Sequence, residues 1–175
     1  MTESYAQILA IGGKSNSLGR AAEVVDNVLH NPERLAELYD CLFEDDAWLR
    51  MRAADSLEKV CRIHPEWLEP YTDRLLNDVA KSSQPSLQWH LAQMIAEISL
   101  TPTQEERAID WLKQQLRNKD VDWIVAANVM TTLAQFAKQQ RIPVKDAVAL
   151  ITTQQDHTSS SVRKRAAKLL AELGA

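Results

Sequence analysis

Leu49-Arg-Met-Arg-Ala-Ala-Asp-Ser-Leu57 recurs in altered form at Leu87-Gln-Trp-His-Leu-Ala-Gln-Met-Ile95, Val125-Ala-Ala-Asn-Val-Met-Thr-Thr-Leu133 and Val162-Arg-Lys-Arg-Ala-Ala-Lys-Leu-Leu170. The four segments start 38, 38 and 37 residues apart. Ala53, Leu91, Val129 and Ala166 share one column, and Ala54, Ala92, Met130 and Ala167 share the next. Leu57, Ile95, Leu133 and Leu170 align further on, followed by Val60, Ile98, Phe136 and Leu173. Apolar positions therefore fall at offsets 0, 4, 5, 8 and 11 of each segment. That spacing places them on one face of a helix, since the helix turns once in about 3.6 residues. Five columns held at nearly constant pitch mark a repeat architecture.

An amphipathic stretch leads each of these helices. Pro32 to Phe43 leads the first with Leu35, Leu38, Tyr39 and Leu42 on one side, and Pro65 to Ala80 leads the second with Trp67, Leu68, Tyr71, Leu75, Leu76 and Val79. Thr103 to Leu116 and Pro143 to Thr153 lead the third and fourth. Pro32, Pro65 and Pro143 stand where a first-turn proline is tolerated, because its missing N–H has no intrahelical partner there. Thr103 with Glu106 has the spacing of a capping box. Short polar turns, such as Glu44-Asp45-Asp46 and Asn118-Lys119-Asp120, divide each pair. The unit is helix, turn, helix, at about 32–61, 65–99, 103–138 and 143–173. The expected fold is all-α: a right-handed α-α superhelix of about four hairpins. A capping helix from Leu18 to Leu29 precedes them, as an open solenoid needs polar ends. Residues 17–175 read as one domain. Residues 1–16 read as partly flexible, although Tyr5, Ile8, Leu9 and Ile11 are placed to dock.

The chain is 175 residues long, with a formal net charge of −4, four glycines and six prolines. The mild acidity argues against a surface that tracks phosphate backbones throughout. Cys41 and Cys61 lie in apolar stretches without a CxxC pair or a His cluster, so buried reduced thiols are expected. With no signal-peptide pattern and no apolar run near membrane-spanning length, a soluble cytoplasmic protein is expected.

The second helices carry a family resemblance. Val/Leu-Arg-x-x-Ala-Ala-x-x-Leu after an acidic turn is similar to the HEAT and HEAT-like class of the armadillo superfamily. Leu49 to Leu57 after Asp45-Asp46 matches it, as does Val162 to Leu170, with Ser159 in place of the acidic residue. The middle repeats keep the columns but replace the arginine with Gln88 and Ala126. The resemblance covers residues 32 to 173 and implies the fold rather than a function, since the class spans transport receptors, phosphatase scaffolds, bilin lyase subunits and DNA repair proteins. It also implies that Arg50 bonds to the acidic turn at Asp46.

Catalytic motifs are absent: there is no GxSxG, P-loop, dinucleotide fingerprint or HExxH. No cofactor and no metal are expected, and none of the four histidines is followed by Glu. Offsets 3 and 6 of the second helices give a polar stripe beside the core face: Arg52, His90, Asn128 and Arg165, then Asp55, Gln93, Thr131 and Lys168. With Trp89 as aromatic anchor, this is the expected binding face for a protein or peptide partner. Lys59, Glu97, Gln135 and Glu172 continue it. Trp67 and Trp111 read as core, and Trp48 and Trp123 as packing between repeats.

The leading expectation is thus a non-enzymatic binding scaffold or adaptor. The alternative is a DNA-binding or DNA-repair protein resembling the alkylpurine glycosylases built on HEAT-like repeats. There, Trp89, Trp123 and Asp122 would stand at the centre, and Arg52, Arg163 and Arg165 would meet phosphates. Net acidity, with Glu97 and Glu172 on the stripe, makes nucleic acid the less favoured partner. The last helix follows the internal pattern, which leaves an end-to-end homodimer through the C-terminal repeat open.

Overall fold

The computed structural model describes residues 3–13, 17–118 and 120–175. Its helices are α1 (Tyr5–Ala10), α2 (Ala21–His30), α3 (Leu35–Asp40), α4 (Ala47–Ile63), α5 (Thr72–Asn77), α6 (Pro85–Glu97), α7 (Pro102–Arg117), α8 (Trp123–Lys138), α9 (Val144–Thr153) and α10 (Ser160–Glu172). No strand occurs among the described residues. The architecture is an all-α solenoid in which α2, α4, α6, α8 and α10 stack side by side, while the odd-numbered helices form a second layer against them.

The expected capping helix is α2, and it has a partner. Helix α1 packs against both α2 and α4, burying Tyr5, Ile8 and Leu9, while Ile11 stays exposed. The N-terminal end is therefore a fifth helical pair rather than a lone cap. Part of the stretch read as flexible, residues 1–2 and 14–16, lies outside the described residues.

Local chemistry fixes where the helices begin. The Asp46 carboxylate accepts the Trp48 N–H at 2.7 Å at the start of α4, and Asp122 accepts the Ile124 N–H at 2.9 Å at the start of α8. Each satisfies donors that have no intrahelical acceptor. The capping box of α7 lies two residues before the expected one. Thr101 and Gln104 form it, with Pro102 as the first helical residue. The leading helices of the first two full repeats are short, because tight 3-10 turns at Pro32–Arg34, Cys41–Phe43, Pro65–Tyr71 and Val79–Lys81 flank α3 and α5. Pro70, which lacks an N–H to give, sits inside one of them.

The repeat columns are the core. Ala53, Leu91, Val129, Ala166, Leu57, Ile95, Leu133 and Leu170 are all buried. Ala54, Ala92 and Met130 are buried too, each covered by the next helix of the stack, whereas Ala167 on α10 is exposed. Hydroxyls set the register between stacked helices. Ser56 Oγ donates to Ala21 O at 3.4 Å, and Thr132 Oγ1 to Ala92 O at 2.8 Å, both from offset 7. Among the described residues, no helix is long and apolar enough to cross a membrane.

Candidate binding groove

The turns that lead into the stacked helices are held by their own second residue. Arg50 Nη1 donates to the carbonyls of Glu44 at 2.6 Å and Asp45 at 2.9 Å. Arg163 Nη1 does the same to His157 at 2.6 Å and Thr158 at 2.8 Å, and Gln88 Nε2 to Ser82 at 2.9 Å. Arg50 thus grips main chain rather than the Asp46 carboxylate, which is occupied with capping. Arg50 Nε also donates to Gln84 Oε1 at 2.8 Å, and Gln84 Nε2 returns a bond to Ala47 O at 2.8 Å. These bonds stitch the start of α4 to the start of α6. At the next rim, Ser159 N–H donates to His157 Nδ1, so the Nε2 of that imidazole carries the proton and donates to Val121 O at 2.9 Å.

Between these stitched ends runs a groove of ≈ 480 Å³ lined by Trp48, Met51, Pro85, Trp89 and Ile124, with Arg50, Gln84, Ser86 and Asp122 at its polar edges. Its walls come from the first turns of α4, α6 and α8. Trp48 is 44 % exposed and Trp123, beside it in the series, is 51 % exposed. These two tryptophans do not pack between repeats as the sequence pattern suggests. They lie in the first turn, beyond the point where neighbouring helices close on one another. Trp89 is half-buried in the groove wall. Trp111 belongs to the core, with Nε1 donating to Ala80 O at 3.1 Å, and Trp67 is half-buried and stacks on His64.

The stripe at offsets 3 and 6 divides three ways. Arg52 is only 3 % exposed: its Nη1 donates to Leu9 O and its Nε to Ser17 O, both at 2.8 Å, beneath Gly12. Asp55 is buried and bonded to Lys59 at 2.7 Å. His90 is 1 % exposed, and neither ring nitrogen has a hydrogen-bond partner. Burial drives its pKa from 6.5 to about 3, an effect that nearby Gln93 only partly opposes. These three are removed from the binding face, because a helix inside a stack is covered on both flanks and a position beside the core face meets the preceding helix. Gln93, Asn128 and Thr131 come together in a separate shallow groove of ≈ 230 Å³ with Glu58, Arg62 and Glu97. There, Gln93 Nε2 donates to Asn128 Oδ1 at 3.1 Å. Arg165 and Lys168 are exposed on α10, and Arg165 reaches Thr131 Oγ1 at 3.2 Å. Of the nominated residues, only Trp89 lines the apolar groove.

Of the residues on which a DNA-repair reading would rest, Trp89 and Asp122 line one groove, but the charged groups are engaged elsewhere. Arg52 and Arg163 spend their guanidinium groups on carbonyls, and Asp122 spends its carboxylate on the α8 N-terminus. Among the described residues, no group of three or more His, Cys, Asp or Glu is placed to hold a metal ion. Cys41 and Cys61 are free and buried, and burial pushes both thiols up to about 12.

Stacked helical pairs with side-chain-to-carbonyl bonds between successive repeats define a helical-repeat protein. A family model described as HEAT repeat domain matches residues 14–119, and the chain belongs to that family. HEAT repeats typically mediate protein interactions, and the family is generally non-enzymatic. Neither the curated proteins nor the solved structures include a match to this chain.

Proposed function

We propose that this chain is a non-enzymatic scaffold or adaptor that receives a protein or peptide segment in the groove between Trp48 and Trp89. The observation that carries this reading is an apolar groove of ≈ 480 Å³, walled by two tryptophans and open to solvent on a family that works by binding. Apolar clefts with a few polar edge groups are the usual form of ligand sites, and tryptophan is over-represented among residues that dominate binding energy. The polar groove at Gln93 and Asn128 is a weaker choice, since its amides are already bonded to one another. A cytoplasmic setting suits the reduced, buried cysteines.

Selection from a random peptide display library tests the reading, with titration followed by intrinsic tryptophan fluorescence. Selected peptides are expected to bind with Kd of about 10 μM or better, and Trp48→Ala is expected to weaken them about tenfold or more. Peptides that bind Trp48→Ala and Trp89→Ala as well as the parent chain would place the site elsewhere. An empty selection would remove the peptide reading.

A further inference from the structure

We infer that copies of this chain associate head to tail, the exposed face of α10 in one copy receiving the exposed face of α2 in the next. This contact is separate from the groove between Trp48 and Trp89. The chain is electrically polar along its length. Residues 1–46 carry nine Asp or Glu and three Lys or Arg, whereas residues 138–175 carry seven Lys or Arg and three Asp or Glu. Stacking puts the first stretch at one end of the solenoid and the second at the other, so the charge difference runs along its axis.

Both end faces are uncovered. Lys164, Ala167, Lys168 and Ala171 form one exposed stripe of α10 at helical spacing. The counterparts of Ala167 in earlier repeats are Ala54, Ala92 and Met130, each buried under the next helix. Those of Ala171 are Glu58 and Ala134, which are buried, and Ala96, which is half-buried. Helix α10 thus keeps small residues where a further helix packs, but shows them to solvent. At the other end, Ala22, Glu23, Asp26 and His30 form the exposed face of α2, whose remaining sides meet α1, α3 and α4.

Charge names the occupant. Among the described residues, Lys164 and Asp26 make no ion pair, and Lys168 reaches only Glu172, at 3.9 Å. Arg163 and Arg165 bond to neutral oxygens of Thr158 and Thr131, so their charge adds to that of the α10 stripe. On the α2 side, Arg20 pairs with both Glu3 and Glu23, and Asp26 leaves that face net negative. A symmetric contact between two α10 faces would set lysines against lysines, because each patch then meets itself. Head to tail, Lys164 and Lys168 meet Glu23 and Asp26 instead. Such a contact is heterologous, so each copy keeps a free face and the stack grows rather than closing as a dimer.

Sedimentation velocity of the full chain across a concentration series tests this. At about 50 mM salt the weight-average mass is expected to climb past about twice that of one chain by about 0.5 mM, and about 0.5 M salt should return most of it to monomer. Lys164→Glu/Lys168→Glu should abolish the association, and so should Glu23→Lys/Asp26→Lys. Mixing these two variants in equal amounts should restore it, because every reversed face then meets a complementary one. Ala167→Trp, at an exposed position, should block stacking while the melting curve stays that of the parent. A monomer at every concentration overturns the inference, as does assembly that stops at a dimer or persists in both charge-reversed variants. A mixture that stays monomeric, with both variants folded by their melting curves, overturns it as well.

Discussion

Arg52 and Arg165 hold the same position in the first and fourth repeats, and the two ends of the solenoid use them in opposite ways. At the N-terminal end, α1 and the following loop close over α4, and Arg52 is sealed beneath Gly12 with two carbonyls as acceptors. At the other end, α10 has one flank exposed, and Arg165 lies in solvent with a single bond to Thr131. A column of aligned residues therefore shares a direction from its helix, not an environment. What each member meets depends on whether another helix or loop covers that flank.

Substitution at the two arginines is the strongest way to break this comparison. Arg52→Ala strands Leu9 O and Ser17 O and opens a void, and is expected to cost about 2–4 kcal/mol in urea unfolding. Arg165→Ala is expected to cost under about 0.5 kcal/mol, as surface changes usually do. Equal costs would show that burial at the N-terminal clasp contributes nothing. Gly12→Ala sharpens the point, since an added Cβ would stand 1.7 Å from Arg52 Cζ. The guanidinium cannot swing away without losing its bonds, so a loss of about 1–3 kcal/mol is expected. In the Arg52→Ala background most of that loss should vanish, and a double-mutant cycle measures the coupling.

His90 extends the comparison to the middle of the stack. Its folded pKa of about 3 lies below the ordinary 6.5, so the unfolded chain takes up the proton first. Its contribution to stability is full above about pH 6.5 and is lost progressively as pH falls from there toward 3. His90→Leu should flatten the stability profile across that window. At pH 7 it should be neutral or stabilising by up to about 1 kcal/mol, because it removes two unpaired ring nitrogens. A profile as steep as the parent's would assign the acid sensitivity to other groups. The smallest effect is expected at the Gln93–Asn128 bond in the half-buried seam. There Gln93→Ala should cost about 0.5–1 kcal/mol, read from the shift in urea midpoint.

The repeat was legible because burial selects apolar residues at helical spacing. Leu57, Ile95, Leu133 and Leu170 announce a face before any coordinate is known. The surroundings of the polar stripe were not legible in the same way. On a lone amphipathic helix, a polar residue beside the apolar stripe points to water. In a stack, that flank meets the preceding helix, and His90 and Arg52 are polar without being wet. Pairing of α1 with α2 was half visible: Tyr5, Ile8 and Leu9 gave the apolar side. The clasp that fastens it joins Arg52 to the carbonyls of Leu9 and Ser17, 43 and 35 residues earlier, a spacing no local pattern encodes. The apolar groove left a signal that periodicity does not weigh. Trp48, which lines it, falls within the first turn of α4, ahead of the column positions that pack.

The bonds from Arg50, Gln88 and Arg163 run to main-chain oxygens, and a carbonyl is present whatever side chain a residue bears. The turns at the groove's edge can accept new side chains while their anchorage stays intact. The support of a turn and the identity of its side chains are thereby separable. Exchanging the exposed side chains of Glu44 and Asp45 is expected to leave the stability of their turn unchanged.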